Sequence, residues 1–163
     1  MTKKKEKTVT KKTGNFKTYT GRFFPRNPKK YKGNVDNIIY RSGWELRAFK
    51  YFDENAFVLE WQSEELVIPY YDPATGRHRR YFPDIVAVVK EESGKVKTIV
   101  IEIKPRQQTQ EPKVQKRITR RYITEVSTWA TNNAKWKAAE DFCELRGWEF
   151  VIMTEKELGI TYK

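Results

Sequence analysis

The residues best suited to chemistry in this 163-residue chain are two carboxylates and an amine on neighbouring apolar segments. Asp84 follows Phe82-Pro83 and opens one segment, while Ile101-Glu102-Ile103-Lys104 closes the next. Side chains alternate faces along a strand, so Glu102 and Lys104 project from the same side. They interrupt Thr98-Ile99-Val100-Ile101, a run apolar enough for a central strand covered on both faces. A carboxylate and an ammonium placed there cost several kcal/mol unless they are paired or bind a metal. A hairpin turning at Ser93-Gly94 brings Asp84 beside Glu102. Adjacent carboxylates repel, and a divalent cation that prefers oxygen ligands relieves the repulsion. Mg2+ at such a place acidifies water and steadies a phosphodiester under attack, and the Lys104 amine positions that water or offsets developing charge. The chemistry implied is metal-assisted hydrolysis, with Mn2+ an expected substitute.

A third acid, Glu45, lies in Ser42-Gly43-Trp44-Glu45, where the Ser-x-x-Glu spacing also makes a capping box at a helix start. Other chemistries are pruned by count. The single cysteine, Cys143, and single histidine, His78, exclude intramolecular disulfides and Cys/His zinc sites. A histidine base would have to be His78, which sits in Arg77-His78-Arg79-Arg80 beside a turn and reads as part of a solvated basic cluster.

The elements that must position these groups follow from periodicity. A helix is expected from Ser42 to about Asn55, with Trp44, Ala48, Tyr51 and Phe52 inward. Strands are expected at Val58–Gln62, Leu66–Tyr70, through Tyr81 and Phe82 after an Asp72–Gly76 turn, at Asp84–Lys90 and at Val96–Lys104. Two helices follow, Glu111–Val126 with Val114, Ile118 and Tyr122 on its stripe, and about Asn133–Arg146 with Trp136, Ala139, Phe142 and Cys143 inward. Gly147 caps the second, Trp148–Met153 is a last strand, and Thr154-Glu155-Lys156-Glu157 opens a final turn. The class is α/β, a mixed sheet flanked by helices.

The net charge of +12 is concentrated at one end. Residues 1–32 hold 12 Lys and Arg against Glu6 alone, whereas the remainder holds 21 basic and 20 acidic residues. The expected organisation is a disordered basic tail at 1–20 and a single domain at 21–163, with an extended basic arm over 21–37 pinned by Phe23, Phe24 and Tyr31. Such a block points to a polyanionic partner. The expected DNA contacts are Arg22, Lys29, Lys30, Lys32, Arg41, Lys116, Arg117 and Arg120. No apolar run approaches the ~20 residues that span a bilayer, and no secretory or myristoyl signal is read at the N-terminus.

In its Pro83-Asp84 with Glu102-Ile103-Lys104, the sequence resembles the PD-(D/E)xK nuclease superfamily. Within that superfamily it is most similar to the head completion nucleases of T4-like bacteriophages. That likeness runs through Tyr19-Thr20-Gly21-Arg22-Phe23, Asn27-Pro28-Lys29-Lys30-Tyr31-Lys32-Gly33, Ile39-Tyr40-Arg41-Ser42-Gly43-Trp44-Glu45 and Tyr81-Phe82-Pro83-Asp84. The segment from the first helix to Lys104 is also similar to the endonuclease subunit of heteromeric transposases. The resemblance implies a restriction-endonuclease-like αβββαβ core. It also implies a metal site of Glu45, Asp84 and Glu102, with Lys104 completing the catalytic set. The implied role is processing or protecting the packaged DNA end before tail joining, in the infected host's cytoplasm or on the virion, with head, portal or neck proteins as partners. The competing expectations are a DNA-binding virion plug without catalysis and a transposase-type endonuclease subunit.

Overall fold

The computed structural model describes residues 19–160 in full, together with the backbone of two short strands, β1 (Lys12–Thr13) and β2 (Phe16–Lys17), which pair antiparallel. The tail expected at 1–20 lies for the most part outside the described residues. In the arm, β3 (Gly21–Arg22) pairs antiparallel with β4 (Ile39–Tyr40), and 3-10 turns form at Pro28–Lys30 and Val35–Asn37. Phe23 and Tyr31 are buried against Trp61, with ring centroids 5.9 and 4.8 Å away. Phe24 does not pin the arm. Adjacent residues of an extended chain face opposite ways, and its ring stays exposed under the Arg22 guanidinium, 4.6 Å distant.

The arm is fastened by a buried acid that sequence reading passed over. The Asp53 carboxylate accepts hydrogen bonds from the backbone N–H of Arg26 (2.7 Å) and Asn27 (3.2 Å). Asp53→Ala leaves those donors unpaired beneath the arm, and urea unfolding should show a loss of about 2 kcal/mol. An unchanged midpoint would mean that the arm is held by its other contacts, the buried rings and the β3–β4 pairing among them.

Helix α1 (Gly43–Glu54) begins as expected, with the Ser42 hydroxyl accepting from the Glu45 N–H at 3.1 Å. Its buried stripe is Ala48, Phe49 and Phe52, while Tyr51 is exposed. At about 100° per residue the stripe is centred between Ala48 and Phe49, which turns Tyr51 out. Strands β5 (Val58–Gln62), β6 (Ile68–Asp72), β7 (Arg77–Tyr81), β8 (Ile85–Lys90) and β9 (Val96–Ile103) follow, then helix α2 (Arg120–Arg146) and β10 (Glu149–Met153). The sheet order is β10-β9-β8-β5; β8 is antiparallel to both β5 and β9, and β10 runs parallel to β9. Strands β6 and β7 form a separate antiparallel hairpin that packs on α2 through Ile68, Tyr70, Tyr81 and Ala139. Without that hairpin, the order α1, β5, β8, β9, α2, β10 is the αβββαβ core.

The two helices expected after β9 are one. Residues 111–119 are not helical, and Val114 and Ile118 stand 90% and 74% exposed. Pro112 disfavours helical backbone at Glu111. The Thr119 hydroxyl then accepts from the Tyr122 N–H at 3.1 Å and starts the helix there. No Gly or Pro interrupts the polar stretch 127–133, and Asn133 Nδ2 instead donates to the Trp129 carbonyl at 2.9 Å within the helix. Gly147, at φ 67°, turns the chain from α2 into β10.

Length decides where α2 points. Its 27 residues span roughly 40 Å, whereas the eight residues of β9 span about 26 Å. Tied to the start of β10 at its C-terminus, α2 runs antiparallel to β9 and β10. Its N-terminal turns therefore overhang the end of the sheet where β9 finishes at Ile103. The first buried residue of the helix is Asn132.

Candidate active site

The strands place the candidate groups, Asp84, Glu102 and Lys104, on one face. Ile85, Ile101 and Ile103 pack with Phe49 and Phe52 of α1, whereas Val86 and Val100 pack with Cys143 of α2. By alternation Asp84, Glu102 and Lys104 lie on the α2 side, at the end of the sheet that α2 overhangs. Ile85 pairs with Ile101, which sets Asp84 beside Glu102 and Ile103. The Asp84 carboxylate accepts from the Ile103 N–H at 2.7 Å. Glu102, 5% exposed, accepts from the Tyr81 hydroxyl at 2.5 Å on one oxygen, and the Lys104 ammonium lies 3.4 Å from the other.

This grouping is short of positive charge. Burial above all, and then the Glu102 charge, push the Asp84 carboxyl up to about 8, against the Ile103 N–H and Lys104. A buried and a half-buried carboxylate facing one amine suit a divalent cation, whose charge takes the place of the proton that Asp84 otherwise retains. The donor set, oxygen from carboxylates with no sulfur or imidazole, suits a hard ion such as Mg2+ or Mn2+.

Glu45 is brought near but not in. Its carboxylate accepts from the Arg41 N–H at 2.7 Å, a cap of α1 displaced by one residue from the expected box. Burial pushes its carboxyl up, opposed by the Arg41 N–H, with the Glu64 charge adding to the rise. Among the described residues, no three Asp, Glu, His or Cys side chains stand close enough to hold one ion as oriented.

Tyr81 was missed. It is a buried ring at the base of the hairpin, and its hydroxyl fixes Glu102 so that one carboxylate oxygen faces Lys104. The sequence signal was slight, a tyrosine where an apolar packing position would accept phenylalanine. Tyr81→Phe keeps the ring and removes the tether. Metal affinity should fall at least 10-fold by titration calorimetry with Mn2+, alongside the loss of about 1–3 kcal/mol of stability that an unpaired buried acceptor costs. Equal affinity in the two proteins would reduce Tyr81 to packing.

The expected DNA contacts divide into paired and free groups. Arg22 pairs with Asp36 at 3.5 Å, Lys32 with Glu60 at 3.3 Å, and Arg41 with Glu64. Lys30 Nζ donates to the Asn55 carbonyl at 2.7 Å at the end of α1. Lys29, Lys116, Arg117 and Arg120 are exposed, the last three on or just before the overhanging end of α2. His78 is exposed, as expected.

An αβββαβ core carrying Pro83-Asp84 and Glu102-Ile103-Lys104 at one end of its sheet defines an endonuclease of the PD-(D/E)xK type. The family model for the TnsA-like endonuclease N-terminal domain matches residues 55–155, and the chain belongs to that family. It is 42% identical over 144 residues to the head completion nuclease of Enterobacteria phage T4, an alignment covering 86% of this chain and 93% of that protein. No described helix is long and apolar enough to cross a membrane.

Proposed function

We propose that this endonuclease hydrolyses DNA phosphodiester bonds with Mg2+ and acts as a head completion nuclease. In that role it trims or dresses the packaged DNA end before tail joining, in the infected host's cytoplasm or on the virion, beside head, portal or neck proteins. The observation that carries the chemistry is the pair of carboxylates, buried Glu102 and half-buried Asp84, opposed by one amine. Asp84 and Glu102 would hold the metal, with Glu45 as a further ligand or a water-orienting carboxylate once its side chain leaves the Arg41 N–H. A bound divalent ion supplies polarisation of the phosphate and acidification of a water. Tyr81 holds Glu102 still, Ile103 N–H holds Asp84, and Lys104 presents its charge where the phosphate becomes more negative. The likeness to the phage protein supports the assembly role, and the exposed cations at the active-site end support a polyanionic substrate.

The test is a plasmid incubated with purified protein and Mg2+. Nicked circles should appear first, because a single site of this kind cuts one strand, and EDTA should stop their formation. Supercoiled plasmid left intact under every divalent ion would overturn the reading. Alanine at Lys116, Arg117 and Arg120 together should lower the slope of log affinity against log salt by about 3, as three phosphate contacts are lost. An unchanged slope would return those residues to a merely solvated surface.

A further inference from the structure

The hairpin β6–β7 holds an exposed cationic and aromatic face that the hydrolytic chemistry does not use. Its register pairs Tyr71 with His78 and Pro69 with Arg80, and directly opposed residues share a face. That face is turned away from α2, since the alternate set, Ile68, Tyr70 and Tyr81, is the one packed against the helix. It therefore carries Tyr71, His78 and Arg80, and continues to Phe82, two residues before Asp84. Tyr71 is 53% exposed and Phe82 41% exposed. The Tyr71 and His78 rings meet edge to face at 5.2 Å, and the Arg80 guanidinium lies over the Phe82 ring at 5.9 Å.

Charge on this element is one-sided. Arg77, His78, Arg79 and Arg80 are all exposed, and the one acid between Leu66 and Phe82, Asp72, is buried. Arg79 lies 3.4 Å from Asp72, whereas Arg77 and Arg80 take part in none of the described ion pairs. Two observations tie the face to the reaction. The base of the hairpin is bonded to the active site through Tyr81 and Glu102, and its tip end is bonded to α2 where the Thr131 hydroxyl donates to Asp72 at 2.8 Å. Because α2 runs from Cys143 over the sheet to Thr131 beside the tip, the hairpin projects past the same end of the sheet as the helix. Phe82, two residues before Asp84, joins this face to the strand that carries the site, and Tyr71 lies about 13 Å beyond it along the hairpin.

We infer that the outer face of β6–β7 binds unpaired nucleotides adjoining the bond to be cut, with bases stacked on Tyr71 and Phe82 and a phosphate met by Arg80. Rings with cations between them suit single strands, because every base offers a π-face and stacking does not require a particular sequence. A duplex would be met by cations alone, with its bases turned inward. The proposal names the substrate class of the site described above and so rests on the nuclease reading.

The experiment measures binding by fluorescence anisotropy, using the full chain in EDTA so that nothing is cut. The probes are a 20-base-pair blunt duplex and the same duplex bearing a 10-nucleotide single-stranded tail. The tailed probe should bind at least 5-fold more tightly than the blunt one. Tyr71→Ala should abolish that advantage and leave blunt binding within 2-fold, and Tyr71→Trp should restore it. Equal affinity for the two probes in the unaltered chain, or an advantage that survives Tyr71→Ala, would overturn the proposal. A uniform loss on both probes would also overturn it, as it would mark the hairpin as a duplex contact. The plasmid assay reads the nuclease separately. A chain that nicks plasmid without preferring tails loses this inference alone, and one that prefers tails without cutting loses the hydrolytic reading alone.

Discussion

Asp84→Asn should reduce DNA cleavage by at least about 1,000-fold and at the same time make the metal-free protein harder to unfold. The two effects have one source. The replacement amide oxygen can still accept from the Ile103 N–H, so the local geometry has a partner, but the half-buried charge is gone. In the native protein the Asp84 carboxyl is pushed up to about 8, by burial first and then by the Glu102 charge, from an ordinary value of 3.8. A raised acid binds its proton more tightly folded than unfolded, so its contribution to stability is complete below about pH 4 and is lost as pH rises to about 8. The amide does not titrate. The difference in Tm between the two proteins should therefore be smallest near pH 4, widen steadily to about pH 8, where it reaches about 3 °C or more, and level off above that. Millimolar Mg2+ should raise the Tm of the unaltered chain at pH 8 and leave that of Asp84→Asn in place, since only the former gains a ligand on folding. If Asp84→Asn is less stable than the parent throughout pH 5–9, the carboxylate is not the strained group the geometry makes it.

The contrast between what the sequence disclosed and what it hid has a physical basis. Asp84, Glu102 and Lys104 were legible because each stands in an apolar strand context where a charge is anomalous, and strand periodicity of two fixes which face it takes. The core order was legible for the same reason: β5, β8 and β9 are short apolar runs bounded by turns, and the structure places them within one or two residues of expectation. The missed features depend on contacts between distant segments. Asp53 caps backbone 26 residues earlier, and Tyr81 reaches Glu102 across 21 residues, so neither partner is a neighbour in sequence. The error over α2 was of another kind. The spacing of Val114, Ile118 and Tyr122 predicts a buried face, but the helix that the Thr119 cap begins overhangs the sheet, where no core exists to bury it. Glu45 shows the limit at a single residue. One carboxylate satisfies the cap expectation now and the metal expectation only after turning, and sequence spacing is identical for both.

Lys104 separates a ligand role from a catalytic one, and the opposite responses of two measurements can show it. Its ammonium lies 3.4 Å from the Glu102 carboxylate, on the oxygen that Tyr81 does not hold. In the resting site it offsets part of the acidic charge, and so competes electrostatically with any divalent ion for the same carboxylates. Lys104→Met keeps the length and apolar stem of the side chain and removes the charge. Mn2+ affinity measured by calorimetry should hold or rise, because a repulsive cation has left. Turnover on plasmid at saturating Mg2+ should nevertheless fall about 100- to 1,000-fold, the loss typical when one group that stabilises developing negative charge is removed. Asp84→Asn gives the opposite pairing, with metal binding and turnover lost together. A Lys104→Met protein that loses Mn2+ binding as severely as Asp84→Asn would make the amine a structural partner of Glu102, holding the metal site open. Undiminished turnover would instead transfer the charge-stabilising role to another cation, with Lys135, whose ammonium lies 5.7 Å from the Tyr81 ring, the first to test.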